Sequence, residues 1–548
     1  MSLLTLLAAC THEPGTTRVT AEGAVLQDGD LRVTVPPGTL ARGTEIWLED
    51  GGPTPDDVQA VSPAWAIQPV DLGLSAPAEL AFRLSPDQIA VQVYLGDGFA
   101  FEPLETTIED GLAIAHTSTF GVVFLASTEP IIVGPGPRPE LPDGPTPTAG
   151  TLFDCPSGGV VDLTHLQDTA APAPTSTECP EGVGARIGDT LYADLHGALA
   201  AVEQGQTVEI CPGIHEGPFA YVMPEDVTLE GIAPEREATV LTARLLGSVL
   251  QGRDLTLRRL TIRRGYSRDI GGGAQVLTLV ADDVVFLQNV ACSLGGGAGT
   301  SFGPSRIIGS LFEANVARDV GAGLAYISLA PPSAGGLEVV GTTFRANAAE
   351  RGAGAWLFGG GEAIRVVDSA FDANTSRSRG GGLSIENERH GILQVLGSTF
   401  TANVAGEHGG AIEHYHYEDT GFDPRPTTPA TLVIEGGSFV GNQAGTSGGA
   451  LLLQPRLPGD AIRLTDSVFT ANTAPTGAAL HLPMTPGATQ GAYVFAGLDL
   501  DQPEACAFDV EAPVDWPITL AFTDLTLVGD EPICLENATA TLDGQPYP

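Results

Sequence analysis

Short stretches in which apolar and polar residues alternate recur along most of the chain. Leu31-Arg32-Val33-Thr34-Val35, Glu45-Ile46-Trp47-Leu48 and Glu79-Leu80-Ala81-Phe82-Arg83-Leu84 have the period of two that turns one face of a strand to a core. Turn residues separate them. In Pro36-Pro37-Gly38-Thr39 the proline presets φ and the glycine accepts a positive one. The pattern over residues 18–127 predicts a small β-sandwich. The chain then reads STEPIIVGPGPRPELPDGPTPTAG, a proline density that favours an extended polyproline-II spacer over sheet pairing, so 128–150 is a linker.

One run has a helical period instead. Over Asp194–Gln204, Leu195, Ala198, Leu199 and Val202 share a face, and Gly205 stops the helix. Many short strands follow, beginning at Thr207–Ile210. A short amphipathic helix before such a series suits the capped first coil of a parallel β-solenoid, whose edge and core need covering.

Downstream an internal repeat sets in. F-x-x-N recurs at Phe286/Asn289, Phe312/Asn315, Phe344/Asn347, Phe371/Asn374, Phe400/Asn403, Phe439/Asn442 and Phe469/Asn472. A small-residue cluster follows each asparagine, as in Gly295-Gly296-Gly297, Gly380-Gly381-Gly382 and Gly448-Gly449-Ala450. Serine or threonine stands two residues before most of the phenylalanines (Ser310, Thr342, Ser369, Ser398, Ser467). If each repeat is one coil of parallel strands ~4.8 Å apart, equivalent side chains stack. Phenylalanines would form an interior aromatic column. Asparagine would occupy a left-handed turn and bond its neighbours above and below, and the glycines would turn the corners. The expected fold is all-β: a parallel β-helix over 151–490, preceded by the sandwich and followed by a C-terminal β extension or cap at 491–548.

These repeats resemble those of the chlamydial polymorphic membrane proteins, defined by G-G-A-I and F-x-x-N; the match is most complete at Gly409-Gly410-Ala411-Ile412 with Phe400-Thr401-Ala402-Asn403. The resemblance implies a right-handed, pectin-lyase-like helix and a surface-exposed adhesin. In that family a membrane barrel follows the repeats, whereas the roughly 60 residues after the last repeat are too few for one. A second resemblance concerns the sandwich. Leu31–Leu40 (LRVTVPPGTL), Pro77-x-Glu79-Leu80 and His116–Val122 (HTSTFGV) are similar to the domain shared by ankyrins, netrin receptors and zonula-occludens proteins, which implies a structural or interaction module. A third lies at the start. Leu7-Ala8-Ala9-Cys10 closes an apolar run and resembles a bacterial lipobox, with Cys10 the lipid attachment residue and 1–17 a lipoprotein signal and tether. Together they imply an outer-membrane lipoprotein, bound to the membrane through its anchor and exposed at the surface.

Charge narrows the partners. The formal net charge is −42 with only 17% charged residues, so the surface repels phosphate backbones and nucleic acid is not an expected partner. All 25 basic residues are arginine, which excludes Schiff-base, P-loop and Ser-Lys chemistry. After Cys10, the other cysteines (Cys155, Cys179, Cys211, Cys292, Cys506, Cys534) are even in number and lack C-x-x-C spacing, pointing to disulfides rather than zinc. Proximity favours Cys155–Cys179 and Cys506–Cys534.

Candidate chemistry is sparse. No acid ladder stands at matching register in the repeats, and no calcium nonapeptide or H-E-x-x-H occurs, so neither a catalytic residue, a metal nor a cofactor is expected. His414, Tyr415, His416 and Tyr417 open the longest insertion between repeats. As an exposed loop they form a candidate ligand site, with imidazoles at i and i+2 on one face and tyrosines suited to a sugar ring. Arg258, Arg259, Arg263 and Arg264 form a basic cluster expected to pair with Asp254 and Asp269. The expected role is binding a glycan or an extracellular protein, or a structural one. The alternative is a carbohydrate-active enzyme, lyase or hydrolase, with its site near His414 and His416.

Overall fold

Alternation builds the N-terminal sheets. In Leu31–Val35 the apolar Leu31, Val33 and Val35 are buried while Arg32 faces solvent. The computed structural model describes residues 17–547 apart from short stretches, the longest being 137–146, 165–178, 329–335 and 416–429. The chain divides into two compact units, residues 1–132 and 133–548. In the first, an antiparallel 6-stranded sheet and a 5-stranded sheet enclose a core of Leu31, Val33, Ile46, Ile67, Leu80, Phe82 and Val123.

The second unit is a parallel β-solenoid. Each central coil gives a bent pair of strands to a 25-stranded sheet, a short strand to a 7-stranded sheet and one strand to an 11-stranded sheet. In the coil of Phe371 these are Ile364–Val367 with Ala370–Asp372, then Thr375–Arg379, then Leu383–Arg389.

The repeated letters hold the coils in register. Phe286, Phe312, Phe344, Phe371, Phe400, Phe439 and Phe469 stack ring on ring at 4.5–5.1 Å between centroids, with planes 3–11° apart. The last small residue of the preceding cluster makes room for the ring: a Cβ on Gly354 would lie 2.9 Å from Phe371 Cδ1. Beside the rings runs a buried asparagine ladder. Asn374 Nδ2 donates to the Phe344 carbonyl and to Asn403 Oδ1, both at 2.9 Å, and Asn403 Oδ1 also accepts from the Asn374 amide at 3.1 Å. The same side-chain bond, at 2.9–3.0 Å, joins Asn289 to Asn315, Asn315 to Asn347, Asn347 to Asn374, Asn403 to Asn442 and Asn442 to Asn472. Each link satisfies polar groups whose burial without partners would cost about 1–3 kcal/mol apiece. A second ladder uses the residue two before each phenylalanine: the Thr342 amide donates to Ser369 Oγ and the Ser369 amide to Ser398 Oγ, each at 3.2 Å.

One expectation about the repeat is corrected. None of Asn289, Asn315, Asn347, Asn374, Asn403, Asn442 and Asn472 occupies the left-handed turn foreseen for it. The turn falls one residue earlier, on Gln288, Ala314, Ala346, Ala373, Ala402, Gly441 and Ala471, with φ of 52–64°. The asparagines are buried, each at most 2% exposed. Their amides are needed as buried bonding groups, so the strained conformation passes to the neighbour. In six of the seven coils that neighbour is alanine or glycine, whose small side chain limits the clash.

The parallel ladder also runs beyond residue 490. Ala492–Asp501, Ile518–Val528 and Ala538–Leu542 extend the long sheet, with the buried Leu500 taking the place of phenylalanine opposite Phe469. The coil persists because any apolar residue can fill that inward position, although the motif that marks it ends. Both ends of the solenoid are covered. The helix Leu195–Ala201, capped by Asp194 Oδ1 accepting from the Gly197 amide at 2.8 Å, buries Leu195, Ala198 and Leu199 against the first coils. At the other end Gln545–Pro546 turns back antiparallel on Thr541 and Leu542.

Within the basic cluster, Arg258 and Arg259 pair otherwise than anticipated. Arg258 lies 3.8 Å from Glu230, and Arg259 also pairs with Glu230, because stacking sets Arg258 beside Glu230 of the preceding coil.

The disulfides are Cys155–Cys292, Cys179–Cys211 and Cys506–Cys534. Only the last agrees with the pairings favoured by proximity. Cys155 bonds 137 residues away because the hairpin Leu152–Asp154/Val160–Asp162 lies on the 7-stranded sheet. There Phe153 and Val161 pack with Tyr266, Val290 and Val316. Replacing both Cys155 and Cys292 by serine is expected to open this hairpin to proteinase K within residues 152–162, with cleavage mapped by mass spectrometry, while the coils keep their circular dichroism. Equal resistance in wild type and variant would show that packing alone secures it.

Candidate functional site

Strand alternation sorts the third, 11-stranded sheet into two faces. Leu383, Ile385, Ile412, Leu451 and Leu453 point into the solenoid and join its core. Parallel register sets His414 between Ile385 and Leu453 in that inward series, and it is buried. The imidazole expected on an exposed loop is therefore an interior residue. Tyr415 is half-buried on the outward face, and His416 and Tyr417 lie outside the described residues, as does Cys10.

The outward face of the same strands carries a different cluster. Trp356, Ser384 and Glu413 stand opposite one another in successive coils, and so do Phe358, Glu386 and Tyr415. A third column at the adjoining corner holds Arg351, Arg379, His408 and Ser447. Arg351 pairs with Glu386, and Arg379 Nη1 lies 3.5 Å from Glu413 Oε1. Ser384 Oγ donates to Glu413 Oε2 at 3.1 Å. The Arg379 guanidinium sits 4.8 Å over the Tyr415 ring, and the Trp356 and Phe358 rings stack at 5.4 Å.

Burial governs the electrostatics. Glu413 and Glu386 are 0% and 3% exposed. Loss of solvent pushes the Glu413 carboxyl up to about 7, with the nearby Glu386 charge adding to the rise and Arg379 opposing it. Burial also raises Glu386, against the pull of Arg351. His408 is lowered by burial and by Arg379. Near neutral pH, Glu413 can thus hold or release a proton while Arg379 stays charged.

Sequence reasoning missed Glu386 and Glu413 because it looked for acids repeated at one register. They sit in neighbouring columns of neighbouring coils, a diagonal that no single register shows. A usable signal was present: counted from the small-residue clusters, the first outward position reads Ala325, Trp356, Ser384, Glu413, Leu452, His481, and the change from apolar to polar marks the patch.

No protein-family model matches the chain, and no curated protein matches it. Among solved structures, the chain is similar to the catalytic unit of a thermostable GH87 alpha-1,3-glucanase from Streptomyces thermodiastaticus strain HF3-3. The identity is 14%, the match covers 96% of this chain and 93% of that one, and the TM-score is 0.35. That likeness carries no functional argument.

Proposed function

We propose that this is a cell-envelope protein, anchored by lipid at Cys10, whose β-helix presents a surface that binds a neutral glycan. The observation that carries the reading is the outward cluster on the third sheet. Phe358 and Tyr415 offer partly exposed rings two coils apart, with Glu386 on the coil between them and guanidinium groups held alongside. Aromatic faces stack on the C–H faces of sugars, and fixed polar groups select hydroxyls. Within the cluster Arg351 and Arg379 offset Glu386 and Glu413, so the patch has little net charge, and the −42 of the whole chain disfavours polyanions. The sandwich fits a structural or interaction module between anchor and helix.

A screen of the full chain against immobilised neutral polysaccharides tests this. Binding to at least one is expected, weakened about tenfold by Tyr415→Ala or Phe358→Ala, the loss of about 1.4 kcal/mol that truncating an anchor residue brings. Absence of binding, or binding indifferent to both changes, would remove the proposal.

A second reading rests on a separate observation. Two carboxyls with raised proton affinity on adjacent coils are the elements of glycoside hydrolysis. Release of reducing ends from the same polysaccharides, abolished by Glu413→Gln, would establish it in place of simple binding.

A further inference from the structure

Two coils beyond Glu413 the same outward face carries a second polar group, independent of the glycan reading. The strands Leu480–Pro483 and Phe508–Glu511 are adjacent and parallel, with His481 opposite Asp509 and Pro483 opposite Glu511. Asp509 and Glu511 are two residues apart on one strand, so both carboxylates project on the side of the His481 ring. The three side chains converge: their nitrogen and oxygen donor atoms all lie within 4.8 Å of one another, and His481 Nδ1 is 2.8 Å from Asp509 Oδ2. Among the described residues no other group of three such side chains comes together.

We infer that His481, Asp509 and Glu511 bind one divalent transition-metal ion of the zinc type. The charge distribution supports a cation. Glu386 and Glu413 are each paired with an arginine, whereas among the described residues no arginine pairs with Asp509 or Glu511. The two carboxylates therefore share a single imidazole, in a chain of net charge −42. The site grades from interior to solvent: the His481 and Asp509 side chains are 8% and 16% exposed and Glu511 is exposed, so an ion can enter without opening the fold. Its backbone is clamped. Cys506–Cys534 ties the approach to the Asp509 strand to the next coil, where Cys534 stands opposite Asp509.

The donor set chooses the ion. An imidazole nitrogen with carboxylate oxygens suits zinc and its first-row neighbours, while calcium and magnesium favour all-oxygen shells. Zinc would be bound by three protein ligands, leaving room for a water or a further ligand. The His481–Asp509 hydrogen bond already holds the imidazole close to the carboxylates, so little rearrangement is needed to bring the three donors onto one ion.

Equilibrium dialysis of the untagged, oxidised full chain against zinc chloride, with metal counted by mass spectrometry, tests the site. One zinc per chain is expected. His481→Ala and Asp509→Asn should each weaken binding by about tenfold or more, as should Glu511→Gln, whose exposed position spares the fold. Zinc should raise the melting temperature of the wild type and not of Glu511→Gln. His116→Ala, at an exposed side chain of the sandwich, should bind as the wild type does. Failure of the wild type to take up zinc, uptake unchanged in Glu511→Gln, or displacement by an equal concentration of calcium would overturn the inference.

Discussion

Replacing Phe371 by alanine is expected to lower the unfolding free energy by about 3–5 kcal/mol, the range for removing a buried aromatic side chain. The ring is 1% exposed and lies 4.7 Å from both Phe344 and Phe400, almost parallel to each. Alanine would remove two stacking contacts and leave a gap in the middle of the column. The surroundings cannot close over it, because the asparagine and serine ladders on either side fix the distance between coils. Guanidinium titration followed by tryptophan fluorescence and circular dichroism would measure the loss. A solenoid is stabilised mainly by contacts between neighbouring repeats, so the two halves should also begin to unfold separately. A loss below about 1 kcal/mol would mean that the column contributes register and not stability.

Glu413 should make stability depend on pH in the sense opposite to an ion-paired surface carboxylate. Its carboxyl is raised from 4.5 to about 7, chiefly by burial, so the folded chain holds the proton more tightly than the unfolded chain. The stability this contributes is fully present below about pH 4.5, declines as pH rises, and is lost above about 7. The span corresponds to roughly 3 kcal/mol at about 1.4 kcal/mol per unit. Glu413→Gln removes the titration and retains a polar group beside Ser384. The difference in unfolding free energy between wild type and variant should therefore shift in favour of glutamine between pH 5 and pH 8 by about that amount. A constant difference across the range would show that the carboxyl keeps an ordinary proton affinity in the folded chain.

The sequence made the solenoid legible because its inward positions recur. Phe344, Phe371 and Phe400 are read by their neighbours above and below, so the same letter is needed in each coil, and repetition is visible without coordinates. What lay outside that constraint was harder to read. The asparagines recur for the same reason as the rings, yet their letter suits a turn as well as a buried ladder, and repetition alone does not separate the two. Leu500 continues the column without continuing the motif, which hides the last coils. His414 is polar yet takes an inward place, so polarity alone sent it to the surface. Cys155 finds Cys292 because a hairpin lies across the stack, and distance along the chain says little about distance on a coil. The outward cluster of Glu386, Glu413 and Trp356 is where side chains vary from coil to coil. Such variation is what a recognition surface requires and what a search for periodicity discards.

The two coverings of the solenoid govern whether copies of the protein stay apart. Among the described residues the strands of the long sheet between these coverings pair on both sides, so within that sheet the terminal strands are the ones able to recruit another molecule's backbone. The return of Gln545–Pro546 over Thr541 and Leu542 occupies one of them, and the Leu195–Ala201 helix shields the core behind the other. Cleavage between Glu511 and Ile518 would open that end only once Cys506–Cys534 is reduced as well, since the disulfide spans the cut; the strand Ala492–Asp501 would then be an open template. With the helix still over the first coils, such molecules could join through their opened ends in pairs but not extend into fibres.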